Sequence, residues 1–224
     1  MQRKIVKTAD GSTTIQITEW EEQYHSMHGA IQEAQHVFLK MGLDFFRSEN
    51  PSAKSISILE IGFGTGLNAI LTCLEAQKIE LKFDYTGVEA YPVKQEELDQ
   101  LNYVDLMSVD SAVDIFSKMH QTPWEENHTI TPNFKLIKRK QTFQTIKDSE
   151  QFDLIYFDAF GARVQPELWE ESIFIKMYEA LKSRGILVTY SAKGSVRRAM
   201  QSVGFKVERL PGPPGKREML RAVK

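Results

Sequence analysis

The sequence contains a single cysteine among its 224 residues, Cys73, and no apolar run long enough to cross a membrane. One cysteine excludes an intramolecular disulfide and zinc sites that are built from two or more thiolates. A membrane-spanning helix needs about 20 apolar residues, so we expect no membrane association of that kind. The N-terminus, Met1–Ile5, carries charge but lacks the apolar stretch of a signal peptide. We therefore expect a cytoplasmic protein.

Internal repeats and low-complexity linkers are also missing from the sequence. The chain is 42% hydrophobic and 26% charged, which is too apolar for a disordered protein. Its length suits one large domain, or one domain with a small extension.

Charge is distributed unevenly along the chain, although the net charge is only −2. Residues 184–224 contain 10 Lys or Arg against 2 Asp or Glu, a net of +8. The first 183 residues contain 18 Lys or Arg against 28 Asp or Glu, a net of −10. The basic C-terminal part either meets a polyanion or is simply a solvated face, and composition leaves both interpretations open.

Strand-like and helix-like patterns alternate along most of the chain. A hairpin is predicted from two short runs at 4–7 and 14–17, followed by a helix over 28–47. Further strands are predicted at 55–61, 83–89, 134–137, 152–158, 186–190, 205–209 and 218–223. Helices are predicted at about 67–78, 92–102, 108–119, 170–182 and 194–202, with a polar loop before residue 134.

Helices between successive strands imply parallel pairing with right-handed crossovers. The last two strands are joined by a short Pro/Gly turn, so the final strand must run antiparallel to the others. We predict an α/β, Rossmann-like class I methyltransferase fold with a mostly parallel, seven-stranded sheet. Residues 1–50 would form an N-terminal hairpin and lid-like helix, and residues 51–224 the methyltransferase domain.

A glycine-rich segment, Glu60-Ile61-Gly62-Phe63-Gly64-Thr65-Gly66, lies where the first strand of this domain gives way to a helix. Its glycines allow a sharp turn and a close approach to a ligand. The next strand ends at Glu89, whose carboxylate is suited to accept hydrogen bonds from a ribose diol. The pair predicts an adenosine-containing cofactor beyond the carboxyl ends of the strands.

The segment Gly64-x-Gly66-x-x-Ala69 also matches the fingerprint of dinucleotide-binding proteins. Glu60, just before the loop, would hinder a pyrophosphate but could orient the amino-acid end or the ribose of S-adenosylmethionine, directly or through water. The antiparallel last strand also favours this methyl donor. A nicotinamide or flavin cofactor, and a purely structural glycine turn, remain the alternatives.

Asp158-Ala159-Phe160 ends the fourth strand of the domain, at the edge that carries Glu60 and Glu89. A carboxylate beside an aromatic ring suits methylation of an amine. Asp158 can hold the amine N–H and help to remove its proton, and Phe160 can stabilise positive charge. The alternative is that Asp158 merely caps the loop that follows.

A series of motifs, most of which are not generic to methyltransferases, runs from about residue 20 to residue 221. They are Tyr24-His25-Ser26-x-x-Gly29-Ala30-x-x-Glu33, Glu60-x-Gly62-Phe63-Gly64-Thr65-Gly66-Leu67-Asn68, Val88-Glu89-x-x-Pro92, Asp158-x-Phe160, Thr189-Tyr190-x-Ala192-x-Gly194-x-Val196-Arg197-Arg198 and Lys216-Arg217-Glu218. Together they resemble the methyltransferase half of the MnmC family.

The resemblance implies that S-adenosylmethionine is used to methylate 5-aminomethyl-2-thiouridine at the wobble position of tRNA, giving the 5-methylaminomethyl form. MnmC also carries an FAD-dependent oxidase half that exposes the amine. This chain ends at Lys224, so we expect the oxidase half and its FAD to be absent. No metal is expected either, because no ligand spacing in the sequence supports one. Another wobble-uridine modification enzyme would then supply the primary amine.

The resemblance also implies a set of site residues. The expected catalytic residues are Asp158, Phe160 and Tyr190. The expected donor-binding residues are Tyr24, Ser26, Gly29, Glu33, Glu60, Gly62, Phe63, Gly64, Gly66, Asn68, Glu89, Ala90, Gln141 and Asp158. Gln141 enters because this chain has Lys140-Gln141 where the family has a Gly-Asp pair that contacts adenine. The chain also departs from the family's Ala-Pro with Gly161-Ala162-Arg163, in a loop expected to border the substrate.

Five basic residues near the C-terminus are candidate phosphate contacts for the tRNA anticodon loop: Lys193, Arg197, Arg198, Lys216 and Arg217. The alternative is that they serve solubility and protect a strand edge. Two other functions stay open: methylation of a small polyamine-like amine, which the basic C-terminal part disfavours, and a binding module that uses no donor. The N-terminal histidines show no metal-ligand spacing and are expected to be ordinary polar or capping groups.

Overall fold

The computed structural model describes residues 2–224, which begin with a small antiparallel sheet. Strands β1 (Arg3–Lys7), β2 (Thr13–Ile17) and β3 (Glu22–Gln23) pair in the order β1-β2-β3. The Asp10 carboxylate closes the first turn by accepting a hydrogen bond of 3.0 Å from the Ser12 N–H. The predicted hairpin is confirmed, and the short β3 extends it toward the main body.

A continuous helical segment follows, as predicted, but its middle is a π-helix. It consists of α1 (Ala30–Ala34), the π-helical residues Gln35–Leu43 and α2 (Asp44–Glu49). Gly42 faces the main sheet so closely that a Cβ atom there would lie 3.0 Å from Val188. The segment thereby covers one face of the sheet.

The main sheet has eight strands in the order β10-β11-β9-β8-β4-β5-β7-β6. They are β4 (Ser55–Ile61), β5 (Lys82–Val88), β6 (Asn127–Thr131), β7 (Phe134–Arg139), β8 (Phe152–Phe157), β9 (Leu181–Thr189), β10 (Lys206–Pro211) and β11 (Glu218–Val223). The pairs β4–β5, β4–β8, β5–β7 and β8–β9 are parallel. Strand β11 is antiparallel to β9 and to β10, which confirms the predicted direction of the last strand.

The predicted count of seven strands is wrong, because β6 forms in the stretch expected to be a polar loop. It pairs antiparallel with the edge strand β7. Only Ile130 of β6 is buried, so the strand lacks the apolar alternation by which a strand is recognised in a sequence. The long helix predicted at 92–102 is also wrong, since only α4 (Gln95–Leu98) and then α5 (Tyr103–Leu106) form.

Two hydrophobic cores lie on the two faces of the main sheet. On one face are the N-terminal helical segment, α3 (Leu67–Ala76) and α6 (Ala112–Gln121), and on the other are α7 (Glu171–Ala180) and α8 (Gly194–Val203). Successive residues of β4 point to opposite faces, so Ile58 enters the first core and Leu59 the second. No helix within residues 2–224 is long and apolar enough to cross a membrane.

The parallel strands place their carboxyl ends at one edge of the sheet. Gly62 follows β4, Glu89 follows β5, Asp158 follows β8 and Tyr190 follows β9. In open α/β sheets this is the edge at which ligands bind.

Candidate active site

A cavity of about 480 Å³ lies at this edge, between the strand ends and the N-terminal segment. Its wall combines the glycine-rich loop after β4, the loops after β5, β7 and β8, and residues from β2, β3 and the segment that follows them. Carboxylates and aromatic rings therefore line one common space.

The glycine-rich loop takes its shape from two hydrogen bonds and from left-handed backbone conformations. The N–H groups of Gly62 and Phe63 both donate to the carbonyl oxygen of Val88, at 3.0 Å each. Gly62 and Gly64 have φ angles of +89° and +52°, a region in which side chains are strained. A Cβ atom at Gly62 would lie 2.6 Å from the carbonyl oxygen of Asp158. Glycine therefore lets the loop pass beside the end of β8.

The Glu89 carboxylate is held by two backbone N–H groups. Its Oε2 accepts from Gly64 at 3.0 Å and its Oε1 from Tyr91 at 2.9 Å. Each oxygen keeps further lone-pair capacity, so a fixed acceptor faces the cavity next to the glycine-rich loop. The position of Glu89 in the cavity wall agrees with the predicted ribose contact, whose role stays a prediction.

Asn68, near the start of α3, joins two carboxylates. Its Nδ2 donates to Oδ2 of Asp158 at 2.8 Å and to Oε1 of Glu60 at 2.9 Å. Glu60 is fully buried and is not among the residues that line the cavity, so its predicted influence on the donor would pass through Asn68. Asp158 and Asn68 line the cavity, and Glu60 supports them from below.

Burial raises the pKa of Asp158 to about 7, and the negative charge of Glu33 contributes to the rise. The hydrogen bond from Asn68 and the charge of Lys216 act in the opposite direction. Burial also holds the pKa of Glu60 well above its usual range. Asp158 is thus a carboxyl group that changes charge near neutral pH, a property suited to proton transfer.

Aromatic rings build the wall next to Asp158. Phe160 meets Tyr24 edge to face, with ring centroids 4.9 Å apart, and Trp20 at 5.6 Å. Trp169 donates from Nε1 to the carbonyl oxygen of Phe160 at 2.7 Å. The Tyr190 hydroxyl donates to the carbonyl oxygen of Ala159 at 2.8 Å. These bonds fix the positions of Phe160 and Tyr190 in the wall.

Lys216, predicted as a phosphate contact, is paired inside the cavity wall instead. Its ammonium group forms an ion pair with Oε1 of Glu33 and lies 3.9 Å above the centre of the Tyr190 ring. The second oxygen of Glu33 accepts a hydrogen bond from Ser26 N–H at 2.9 Å. The other four basic candidates do not line the cavity: Lys193, Arg198 and Arg217 are exposed, and Arg197 is half-buried.

Most of the predicted catalytic and donor-binding residues line this cavity. They are Tyr24, Ser26, Glu33, Gly62, Phe63, Gly64, Asn68, Glu89, Ala90, Asp158, Phe160 and Tyr190. The structure brings them together, and their individual roles stay predictions.

Besides Glu60, three predicted donor-binding residues lie outside the cavity wall. Gly29 allows the turn into α1, because a Cβ atom there would lie 2.7 Å from the Asp10 carboxylate. Gly66, with φ of +75°, starts α3. Gln141 does not line the cavity, and the next three residues, Thr142–Gln144, form the wall after β7.

The sequence analysis did not identify several wall residues from the N-terminal part, among them Arg3, Trp20, Glu22 and His25. His25 is hydrogen-bonded to Thr14 Oγ1 at 3.0 Å through its Nδ1, and burial lowers its pKa to about 4. It is therefore neutral near pH 7. His25 stands inside the Tyr24–Ser26 motif but was expected to be an ordinary polar group. No local pattern marks Arg3, Trp20 and Glu22, because only the packing of the small sheet on the main sheet brings them to the cavity.

Comparisons with known proteins agree with this geometry. A protein-family model described as S-adenosyl-L-methionine-dependent methyltransferase matches residues 112–224, which is half of the chain. The chain is 26% identical to the tRNA 5-methylaminomethyl-2-thiouridine biosynthesis bifunctional protein MnmC of Hydrogenovibrio crunogenus, over 90% of this chain and 31% of that protein. It is 28% identical to the protein of the same name from Idiomarina loihiensis, over 91% and 36%. The chain thus spans about a third of the length of these relatives.

Solved structures show the same likeness. The crystal structure of MnmC2 from Aquifex aeolicus superposes with a TM-score of 0.80 at 26% identity, covering 99% of this chain and 70% of that one. Spermidine synthase from Thermotoga maritima, with a TM-score of 0.54 at 14% identity over 99% and 68%, shares the fold alone.

The residues present fit S-adenosylmethionine. The cavity is large enough for a nucleoside, the glycine-rich loop lines it, and Glu89 supplies a fixed acceptor that suits a ribose. The glycine-rich loop, Glu89 at the end of β5 and the family match over residues 112–224 point to the same donor. This chain belongs to a family of S-adenosyl-L-methionine-dependent methyltransferases.

Proposed function

We propose that this methyltransferase acts on the 5-aminomethyl group of wobble uridine or 2-thiouridine in tRNA and produces the 5-methylaminomethyl form. The observation that carries the proposal is the place of Asp158, a carboxyl group with a pKa of about 7, in one cavity with the glycine-rich loop and Glu89. The names of the relatives describe biosynthesis of the same nucleoside.

Donor binding in this proposal rests on Glu89 and the backbone of Gly62–Gly64. Their hydrogen bonds fix the Glu89 carboxylate and the loop backbone before any ligand arrives, so little ordering is needed on binding. S-adenosylmethionine, when bound, supplies an electrophilic methyl group on a sulfonium. Tyr24 and Ser26 would cover it from the N-terminal side.

Asp158 would act as the proton acceptor. An ammonium ion has no lone pair, so the substrate amine must lose a proton before its nitrogen can attack the methyl carbon. The Asp158 carboxylate accepts that proton, and its pKa near neutrality suits the step. The rings of Phe160 and Tyr190 face the same space and would stabilise the positive charge on the methylated nitrogen.

Recognition of tRNA would use basic residues near the cavity edge. Helix α8 begins at Gly194, shortly after Tyr190 of the cavity wall, so Lys193 and Arg198 lie on this side of the molecule. We propose that they contact anticodon-loop phosphates together with Arg197 and Arg217, in the cytoplasm. A separate wobble-uridine modification enzyme would supply the amine.

The test uses the purified protein, S-adenosylmethionine and tRNA that carries 5-aminomethyl-2-thiouridine. Nucleoside mass spectrometry should show conversion to the 5-methylaminomethyl form. Asp158→Asn should lower the rate about 100-fold or more, the usual contribution of acid–base catalysis. Donor binding, measured by calorimetry, should largely persist.

The matched control is Asp84→Asn, which removes an exposed carboxylate from β5 and should keep full activity. Full turnover by Asp158→Asn would refute the role of Asp158. Methylation of free polyamines but not of tRNA would identify a small-molecule enzyme, and failure to bind the donor would identify a binding module.

A further inference from the structure

Glu33 and Lys216 join distant parts of the chain in the cavity wall. Glu33 lies in the first turns of the N-terminal helical segment, and Lys216 lies in the turn between β10 and β11, 183 residues away in the sequence. Their side chains are only 10% and 31% exposed. With Ser26 on one side and the Tyr190 ring on the other, the pair has a defined position.

Both members of the pair line the same cavity as Asp158. Lys216 lies over the ring of Tyr190, whose hydroxyl donates to the carbonyl oxygen of Ala159, the residue after Asp158. The opposite charges of the pair therefore act on the Asp158 carboxyl from within one cavity wall. Lys216 favours the ionised carboxylate and Glu33 disfavours it. Asn68 from α3 is hydrogen-bonded to Asp158, and the other titratable groups that its charge influences are Glu60 in β4, Tyr85 in β5, Tyr103 in α5 and Tyr190 just after β9. Burial raises the pKa of Glu60 and of all three tyrosines, so these groups are neutral near pH 7.

We propose that the Glu33–Lys216 ion pair, as a charge-balanced part of the cavity wall, sets the pH range over which Asp158 is ionised. The inference rests on the proposed function in one respect. If Asp158 is the proton acceptor, the pH range over which it is ionised sets the pH dependence of methyl transfer. Glu33 and Lys216 are positioning residues, since they act through Asp158.

The proposal makes two predictions of opposite sign. Lys216→Met keeps the apolar stem over Tyr190 but leaves the negative charge of Glu33 uncancelled, so the pKa of Asp158 should rise. Glu33→Gln keeps an acceptor for Ser26 but leaves the positive charge of Lys216 uncancelled, so the pKa of Asp158 should fall. A neighbouring charge moves a pKa by about 1 unit or more, and each shift should be of that order.

The first measurement follows Asp158 directly, without donor or tRNA. Carboxyl ¹³C NMR titrations are recorded on the wild-type protein and on both variants, and the Asp158 resonance is assigned by its loss in Asp158→Asn. The midpoint should move up in Lys216→Met and down in Glu33→Gln, and should return near the wild-type value in the double variant. Lys206→Met, which removes an exposed charge from β10, should leave it unchanged.

The second measurement is the pH profile of methyl transfer to tRNA. Its acidic limb should shift in the same two directions, so that Lys216→Met loses activity below neutral pH while Glu33→Gln retains it. Lys216→Arg keeps the charge and should restore the wild-type limb. If Lys216→Met does not fold, Lys216→Gln makes the same change in charge.

If the NMR midpoint shifts in the same direction in Lys216→Met and Glu33→Gln, or does not shift, the inference is overturned. The ion pair would then only hold the two segments of the chain together. Opposite shifts in a protein that does not methylate tRNA would support the electrostatic role of the pair and refute the proposed substrate. Methylation of tRNA without opposite shifts would leave the proposed function standing and refute this inference.

Discussion

At the scale of single residues, Gly62 shows how tightly the donor loop is built. Its φ of +89° is unfavourable for any other residue, and its α-carbon passes beside the carbonyl oxygen of Asp158. Gly11 has the same φ of +89°, but the nearest atom to a Cβ there is Lys7 Cε, at 3.9 Å. A comparison of the two positions therefore distinguishes the cost of the left-handed backbone, which both share, from the cost of a steric clash, which only Gly62 would have.

We expect Gly62→Ala to destabilise the protein more than Gly11→Ala does. Both variants incur a left-handed backbone cost of about 1–2 kcal/mol, and Gly62→Ala adds a backbone clash worth about 1–3 kcal/mol. Urea unfolding measures the difference, and calorimetry should show weaker donor binding for Gly62→Ala alone. Equal stability and equal donor binding in the two variants would contradict this account.

At the scale of elements, α3 connects the donor loop to the core. All of its residues except Glu75 are buried, because the helix packs between the main sheet and neighbouring helices. A helix that is buried on nearly every side consists mostly of apolar residues. The apolar run in this part of the sequence therefore predicted α3 well. Asn68 is the polar exception that reaches the cavity.

The one cysteine of the chain, Cys73 in α3, should be inert in the native protein. Burial raises the pKa of its thiol to about 12, so almost no thiolate exists near pH 8 and little reagent can reach it. An aromatic disulfide reagent should react with no thiol in the native state and with one thiol in denaturant. Val113→Cys in the Cys73→Ser background places a thiol at a position that is 57% exposed on α6 and should react at once. Rapid reaction of the native wild-type protein would show that α3 opens readily.

At the scale of the whole molecule, the charge is divided between an acidic first part, with a net of −10, and a basic last part, with a net of +8. The fold inserts the last strand, β11, between β9 and β10, which brings the basic part to the cavity edge through Lys216. Exposed cations on that side are suited to bind a polyanion whose reacting group enters the cavity.

We expect tRNA affinity to fall with salt, and the double variant Lys193→Ala/Arg198→Ala to bind more weakly at low salt. Loss of two phosphate contacts should make the slope of log K against log[salt] shallower by about 1–2. Filter binding or fluorescence anisotropy measures both effects. Lys54→Ala is the control, because Lys54 is exposed just before β4, at the opposite edge of the sheet. An equal loss in that control would assign the binding to general charge.

Local sequence patterns were enough to predict the alternation of strands and helices, the antiparallel last strand and the edge at which Gly62, Glu89 and Asp158 meet. They were enough because strand periodicity and turn residues are local, and because the carboxyl ends of parallel strands share an edge. The packed fold was needed to show that Asn68 links the buried Glu60 to Asp158, and that Lys216 pairs with Glu33 in the cavity wall. Those contacts depend on burial and on packing between distant segments, which leave no trace in the spacing of neighbouring residues.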